Sequence, residues 1–229
     1  MDKPLSIMPC LDMMDGRVVK GVNFVNIRDA GDPVECCRAY CAAGADEIAM
    51  LDITATVESR ATMLEVVKKV AAVKTVPFTM GGGISSVQAA EAVLAAGADK
   101  VTVAIDVAQN AAMPSGYEVY IDGGRTATGK DALEWTKEVD GYGVTCILPT
   151  SKSTDGARTG FDLPLIRQIR AVTAADVVAS GGAGTMEHFA EAAEAGATVL
   201  LGASVFHFNL IAIPALKQFL KDRGFNVRV

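Results

Sequence analysis

Apolar and polar positions alternate along this chain in two rhythms. Short runs of Val, Ile, Leu and Met, such as "SIMPCLD" and "VVASGG", are separated by Ala-rich stretches in which apolar residues recur every three or four positions. The first rhythm reads as buried strands and the second as amphipathic helices, and their regular succession is the pattern of βα units around a parallel sheet. It predicts strands at 6–12, 46–52, 76–80, 99–106, 144–150, 176–180 and 198–203, with helices at about 33–44, 60–73, 86–96, 130–140, 162–172, 186–195 and 210–222. "AAGAD" (42–46), "AAGAD" (95–99) and "EAGAT" (194–198) repeat as helix-to-strand punctuation, with small residues, a C-cap glycine and then the next strand.

A longer repeat overlies the short one. Strands ending in Asp12, in Asp52 and at the Gly81-Gly82-Gly83 turn are echoed by strands ending in Asp106, in Thr150 and at the Gly181-Gly182 turn, so the chain reads as two similar halves. The second half has four strands, but the first has three of its own. Its fourth must be the stretch "DKVTVAID", which also opens the second half. Two strands are therefore expected to be fused into one, without the helix between them, and the fused strand is followed by a Pro/Gly turn in "AMPSGYEVYIDGG" rather than by a helix.

Composition narrows the class. At 229 residues, half of them hydrophobic, the chain suits one α/β barrel, read as a single domain over 1–229. A net charge of −6 with no basic run argues against nucleic acid or an anionic membrane and for a small-molecule ligand. Apolar runs are strand-length and no charged segment leads into a longer one, so neither a signal peptide nor a membrane span is expected, and a cytoplasmic location is. Cys10, Cys36, Cys37, Cys41 and Cys146 are odd in number and lack C-x-x-C spacing, which points to reduced, buried thiols rather than a zinc site.

Catalytic groups of parallel barrels sit at the C-terminal ends of the strands, which directs attention to Asp12, Asp52 and Asp106. A carboxylate ending an apolar strand serves catalysis or ligand contact, or else caps a loop. Asp155, in "TSKSTDGARTG", reads by composition as a turn residue, but its place opposite Asp12 in a two-halved barrel makes it an equal candidate. The glycine turns in "FTMGGGIS" and "VASGGAGT" lie between a strand and a helix, where backbone N–H groups bind phosphate or, alternatively, glycine permits tight packing. Two such turns at matched positions imply two anionic groups, and "LLGAS" adds small residues and a hydroxyl beside the second. Lys20, in the β-like segment 15–24, is a solvated charge or a substrate contact. His188 starts a helix as a surface or capping residue, and the histidines are too far apart in sequence to suggest a metal pair.

Taken in order, "CLDMMDGRVVKGVNFVNIRDAGDPVE", "LDITAT", "PFTMGGGI", "VAID", "YEVYIDGGRTATG", "TSKSTDGARTGFD", "ASGGAGTMEHF" and "GASVFHF" resemble the cyclase subunits of imidazole glycerol phosphate synthases. The resemblance implies a TIM-type (β/α)8 barrel of two halves, here short of one strand-helix unit. It also implies a lyase of histidine biosynthesis that takes ammonia from a glutaminase subunit, in a heterodimer, and needs no cofactor or metal. Its substrate would be a bis-phosphorylated ribulosyl aminoimidazole carboxamide, and its products imidazole glycerol phosphate and AICAR. Asp12 and Asp155 would then be the acid/base pair, Asp106 a supporting carboxylate and Lys20 the lysine of a loop over the substrate. Gly83 would belong to one phosphate site, and Gly182, Ala203 and Ser204, with Gly156, to the other. Thr150 would orient the substrate, and Asp52 is counted among the substrate contacts.

The chain also departs from that pattern. Val103 and Ala104 stand where an Asn-Thr phosphate-binding pair is expected. At the base of the barrel Glu47 and Lys100 match a charged ring, whereas Ser6 and Cys146 replace an arginine and a glutamate. Two other readings stay open, the isomerase of the same pathway and a barrel that binds phosphate ligands or a partner without turnover.

Overall fold

The computed structural model describes residues 3–22, 25–53, 57–84 and 86–229, without the side chains of 20–22, 25–28 and 57–62. The chain runs β1 (Ser6–Met14), β2 (Arg17–Val22), β3 (Val25–Gly31), α1 (Pro33–Ala42), β4 (Ile48–Asp52), α2 (Val57–Ala71), β5 (Phe78–Gly81), α3 (Val87–Ala95), β6 (Lys100–Val101) and β7 (Val103–Gln109). It continues through β8 (Tyr117–Ile121), β9 (Thr126–Asp131), α4 (Ala132–Gly141), β10 (Cys146–Ser151), α5 (Leu163–Val172), β11 (Asp176–Ala179), α6 (Met186–Glu194), β12 (Val199–Gly202), α7 (Ser204–His207) and α8 (Ile213–Asp222).

Each strand and helix expected from the pattern is present, with ends shifted by a few residues. Local chemistry sets several helix starts. Asp32 and Asp131 cap α1 and α4 by accepting hydrogen bonds from two backbone N–H groups each, and Asp162 caps α5 through Leu165 N–H. His188 is indeed a capping residue: Thr185 and His188 form a reciprocal box at the start of α6, with Nδ1 accepting from the N–H groups of Gly184 and Thr185. The additions are α7, β3 and the β8–β9 hairpin. The stretch read as a Pro/Gly turn after Asp106 is a turn followed by that hairpin, with β7 and β8 pairing antiparallel from Asp106↔Tyr120 to Gln109↔Tyr117.

The sheet follows the order β6-β5-β4-β1-β12-β11-β10-β7-β8-β9, and β2 and β3 branch from β1. β6 and β7, at separate places along this path, are consecutive in the chain with Thr102 between them. Lys100 and Val101 pair with Thr79 and Met80 of β5, whereas Val103 to Val107 pair with Ile147 to Ser151 of β10. One continuous run thus serves as the neighbour of β5 below and of β10 above, and seven parallel staves make the ring. Among the described residues no helix lies between β6 and β7, as the fused-strand reading requires.

Alternation along each stave sorts side chains into two layers. Met8, Cys10, Ala49, Cys146, Leu148, Val178, Val199 and Leu201 pack together inside the ring. Ile7, Leu11, Met50, Phe78, Ile105, Ile147, Val177 and Leu200 face the helices. Phe189, fully buried on α6, meets Phe161 edge-on at 5.6 Å and stacks on Phe206 of α7 at 5.7 Å, so the loop after β10 and the turn after β12 rest on a shared aromatic floor. None of the five cysteines is in a disulfide; Cys10, Cys37 and Cys146 are buried, but Cys36 and Cys41 are half-buried, which corrects the expectation of uniform burial. They lie on the edges of α1 rather than on its core face.

Candidate functional site

Parallel staves bring their C-terminal ends to one mouth, and their alternation decides which side chains enter it. On β1, Asp12 has the parity of Met8 and Cys10 and therefore faces the lumen, where the Cys10 thiol donates to its carboxylate at 3.3 Å. On β7 the parity of Thr102 carries Ala104 and Asp106 inward; Thr102 meets Cys146 inside the ring at 3.4 Å. On β10 the same rule places Thr150 inward, paired in register with Asp106, and its hydroxyl donates to Ser180 at 3.1 Å.

Asp52 obeys the opposite parity. Ile48 and Met50 face the helices, and Asp52 follows them to line a cavity of about 30 Å³ with Met63 and Leu64 of α2, Ala89 and Val93 of α3, and Gly82 and Gly83. A Cβ on Gly82 would lie 2.2 Å from the Asp52 carbonyl oxygen, so this glycine answers to tight packing. The structure therefore does not bring Asp52 to the lumen, and the Gly82-Gly83 turn is occupied with the strand-to-helix contact behind it.

The corresponding turn of the second half is built differently. Gly182 has φ +115°, and a Cβ there would lie 2.1 Å from the Gly160 carbonyl oxygen; Gly160 N–H in turn donates to Gly182 O at 2.9 Å. This close approach locks the loop after β10 against the turn after β11. It leaves Asp155 over Gly181, whose imagined Cβ would lie 3.3 Å from the Asp155 carboxylate, while Asp155 N–H donates to Ser151 O and the Thr154 hydroxyl to Gly181 O. Gly156 follows in the same loop with φ +72°. Ala203 packs on the lumen cluster as the N-cap of α7, and no side chain caps that helix, whose first residue is Ser204.

Lys20 lies in β2, in register with Arg28; its side chain is outside those described. At the opposite end of the ring Lys100 and Glu47 form an ion pair at 2.8 Å, with Cys146 and the buried Ser6 nearby on their staves. Among the described residues no group of three or more His, Cys, Asp or Glu side chains is placed to hold a metal ion.

Three mouth residues went unrecognised in the sequence reading. Ser180 joins Thr150, Tyr120 lies across from Asp106, and Lys152 places its ammonium 3.9 Å from the centre of the Tyr120 ring. The signal for Lys152 was its spacing, two residues beyond Thr150 and so on the same face. Burial raises the Asp106 carboxyl above the ordinary carboxylate range, and the Lys152 charge draws it partly back.

Comparison with known proteins adds an independent line. The chain matches the model of the family described as "Histidine biosynthesis protein" twice, over residues 6–104 and 98–212. The two matches overlap at 98–104, the run that spans β6, Thr102 and the start of β7. It is 47% identical over 251 residues to the "Imidazole glycerol phosphate synthase subunit HisF" of Mycobacterium bovis (strain BCG / Pasteur 1173P2), covering 97% of this chain and 94% of that protein. The subunit of the same name from Mycobacterium tuberculosis (strain ATCC 25177 / H37Ra) gives the same identity and coverage. Since 97% of this chain is about 222 residues, about 29 of the 251 positions are not supplied by it.

Proposed function

Because the chain belongs to the imidazole glycerol phosphate synthase HisF family, we propose that it is the cyclase of histidine biosynthesis, a lyase acting on a bis-phosphorylated ribulosyl aminoimidazole carboxamide and ammonia. The products are imidazole glycerol phosphate and AICAR. The observation that carries this reading is the placement of Asp12 and Asp155 at one mouth, Asp12 by stave parity and Asp155 by the lock between Gly160 and Gly182. Ring closure and cleavage need a proton delivered to the leaving group and one removed from the imine-bearing sugar, which two separately held carboxylates can divide between them. Thr150 orients the substrate, Asp106 supports it from the neighbouring stave, and Lys20 of β2 is assigned as a further substrate contact. Asp52, turned toward α2 and α3, takes no part in this assignment.

One phosphate is held by Gly182, Gly156, Ala203 and Ser204, where glycine-rich backbone and the uncapped start of α7 present N–H donors. The other lies toward Gly83 and the fused stave. Ammonia comes from a separate glutaminase subunit in a heterodimer that docks at the Glu47–Lys100 end, and a single unit of this kind works in the cytoplasm. No helix among the described residues is long and apolar enough to cross a membrane.

The shared stave favours a second reading, a barrel that binds this substrate without turning it over. Ammonia-dependent turnover separates the two. The cyclase reading expects product from the wild type and a loss of at least a hundredfold in Asp12→Asn and Asp155→Asn. Turnover that survives both substitutions refutes the acid/base assignment; substrate binding without turnover in the wild type establishes the second reading.

A further inference from the structure

We propose that Lys152, seated on Tyr120, is a binding residue for the second phosphate of the substrate, on the side of the mouth where the fused stave has displaced the usual ligands. This deepens the functional reading and rests on it.

Four observations place the cation. Lys152 N–H donates to Val107 O at 2.9 Å, which fixes the start of the loop to β7. Its methylenes lie 3.5 to 3.6 Å from where a Cβ of Gly124 would be, an ordinary contact distance, so the stem runs along the turn of the β8–β9 hairpin. Its ammonium stands over the negative face of the Tyr120 ring. Tyr120 is the direct cross-strand partner of Asp106, so ring and carboxylate share the face of the sheet that opens on the mouth.

The charge so placed is exposed and forms no ion pair with a described carboxylate, in contrast to Lys130 of the same hairpin, whose ammonium lies 4.0 Å over Trp135 and 3.5 Å from Glu138. The Tyr120 ring takes up one side of the ammonium and leaves its N–H donors to solvent, where an anionic ligand can take them. The ligand chemistry is already constrained. A substrate with two phosphates needs two anion sites, and the turn after β11 with the start of α7 suits one. The matching turn at Gly82-Gly83 is packed onto Asp52, and Val103 and Ala104 have no donor side chains to offer. Lys152 is bonded to β7, which continues the chain from β6, the neighbour of β5, and so supplies positive charge on the side of the fused stave.

Calorimetric titration with the bis-phosphorylated ribulosyl substrate, without ammonia, tests this in the full chain. Lys152→Met should weaken binding about tenfold, a typical size for one charge-assisted phosphate contact. Lys152→Arg should stay within threefold of wild type, and Lys130→Met within twofold. Imidazole glycerol phosphate, which carries one phosphate, should bind Lys152→Met and wild type within twofold of each other. The inference is overturned if Lys152→Met binds the substrate like wild type, if Lys130→Met weakens it equally, or if the mono-phosphate loses the same factor. Failure of turnover with these affinities intact would refute the cyclase reading alone, whereas a wild type that does not bind the substrate would refute both.

Discussion

Removing the Asp162 carboxylate should loosen the loop that carries Lys152 and Asp155 before it affects the barrel. Asp162 is 9% exposed and accepts three hydrogen bonds, from the Tyr117 hydroxyl at 2.7 Å, the Ser151 hydroxyl at 2.8 Å and Leu165 N–H at 3.2 Å. It thereby joins β8, the end of β10 and the start of α5, and the loop between Ser151 and Asp162 is tied at both ends to one carboxylate. Loss of a cap costs about 1 kcal/mol. A hydrogen bond to a charged acceptor is worth roughly 1.5–3 kcal/mol. Asp162→Ala is therefore expected to cost about 4 kcal/mol, or roughly 8–16 °C in Tm for a domain of this size. Urea unfolding of Asp162→Ala, Tyr117→Phe and the double variant measures it. Tyr117→Phe alone should cost roughly 1.5–3 kcal/mol and add little in the Asp162→Ala background, because the two share one bond. A loss below about 1.5 kcal/mol for Asp162→Ala, or simple additivity in the double variant, would refute the network.

Asp106 makes a prediction about pH. Burial raises its carboxyl despite Lys152, and a carboxyl raised on folding contributes its full stability below the ordinary carboxylate range and loses it as pH rises through the raised value. Asp106→Asn should thus match wild type in urea midpoint near pH 3 and exceed it at pH 7; equal midpoints at pH 7 would count against the assignment. The thiols offer a check on packing: burial, helped by Cys41, pushes the Cys37 thiol up to about 12, and Cys10 and Cys146 are enclosed as well. Ellman's reagent at pH 8 should label no more than Cys36 and Cys41 in the native protein and all five thiols in guanidinium, and rapid labelling of a third native thiol would show that the core is looser than described.

Much of this fold could be read from the chain because a parallel stave, buried on both sides, leaves an unbroken apolar run, and each helix between staves repeats at 3.6 residues. The elements that escaped notice lack such a run. β9, "TATGKD", is an exposed edge strand with a single buried residue, Asp131, and α7 is four residues long, too short for any period to show. β8, "YEVYI", has a strand pattern, but the neighbouring glycines and proline drew attention to the turn instead. The candidate site was legible where chemistry ends a strand, as with Asp12, Asp106 and Thr150. For Asp52, alternation from Ile48 and Met50 already pointed toward the helices, so parity had to be weighed as well as position. Lys152 could not be weighed from spacing alone, because its setting depends on Gly124 and Tyr120 of the hairpin, which register brings across from Asp106.

The fused stave gives these points a common cause. Residues 98–104 satisfy the end of one family match and the start of the other, and the structure shows how one segment can do both, by pairing its lower part with β5 and its upper part with β10. The stagger of parallel staves around a ring makes this possible, since neighbours on opposite sides of one strand need not meet it at the same height. It also confines the loss. Asp106 keeps its inward parity and its register with Thr150, and the lock between Gly160 and Gly182 lies two staves away and is intact. Before Asp106 the fused run carries Val103 and Ala104, which have no polar side chain. The second half of the ring thus keeps the inward Asp106 and Thr150 and the lock between Gly160 and Gly182, and on the proposed reading the hold on the second phosphate falls to a neighbouring charge, Lys152.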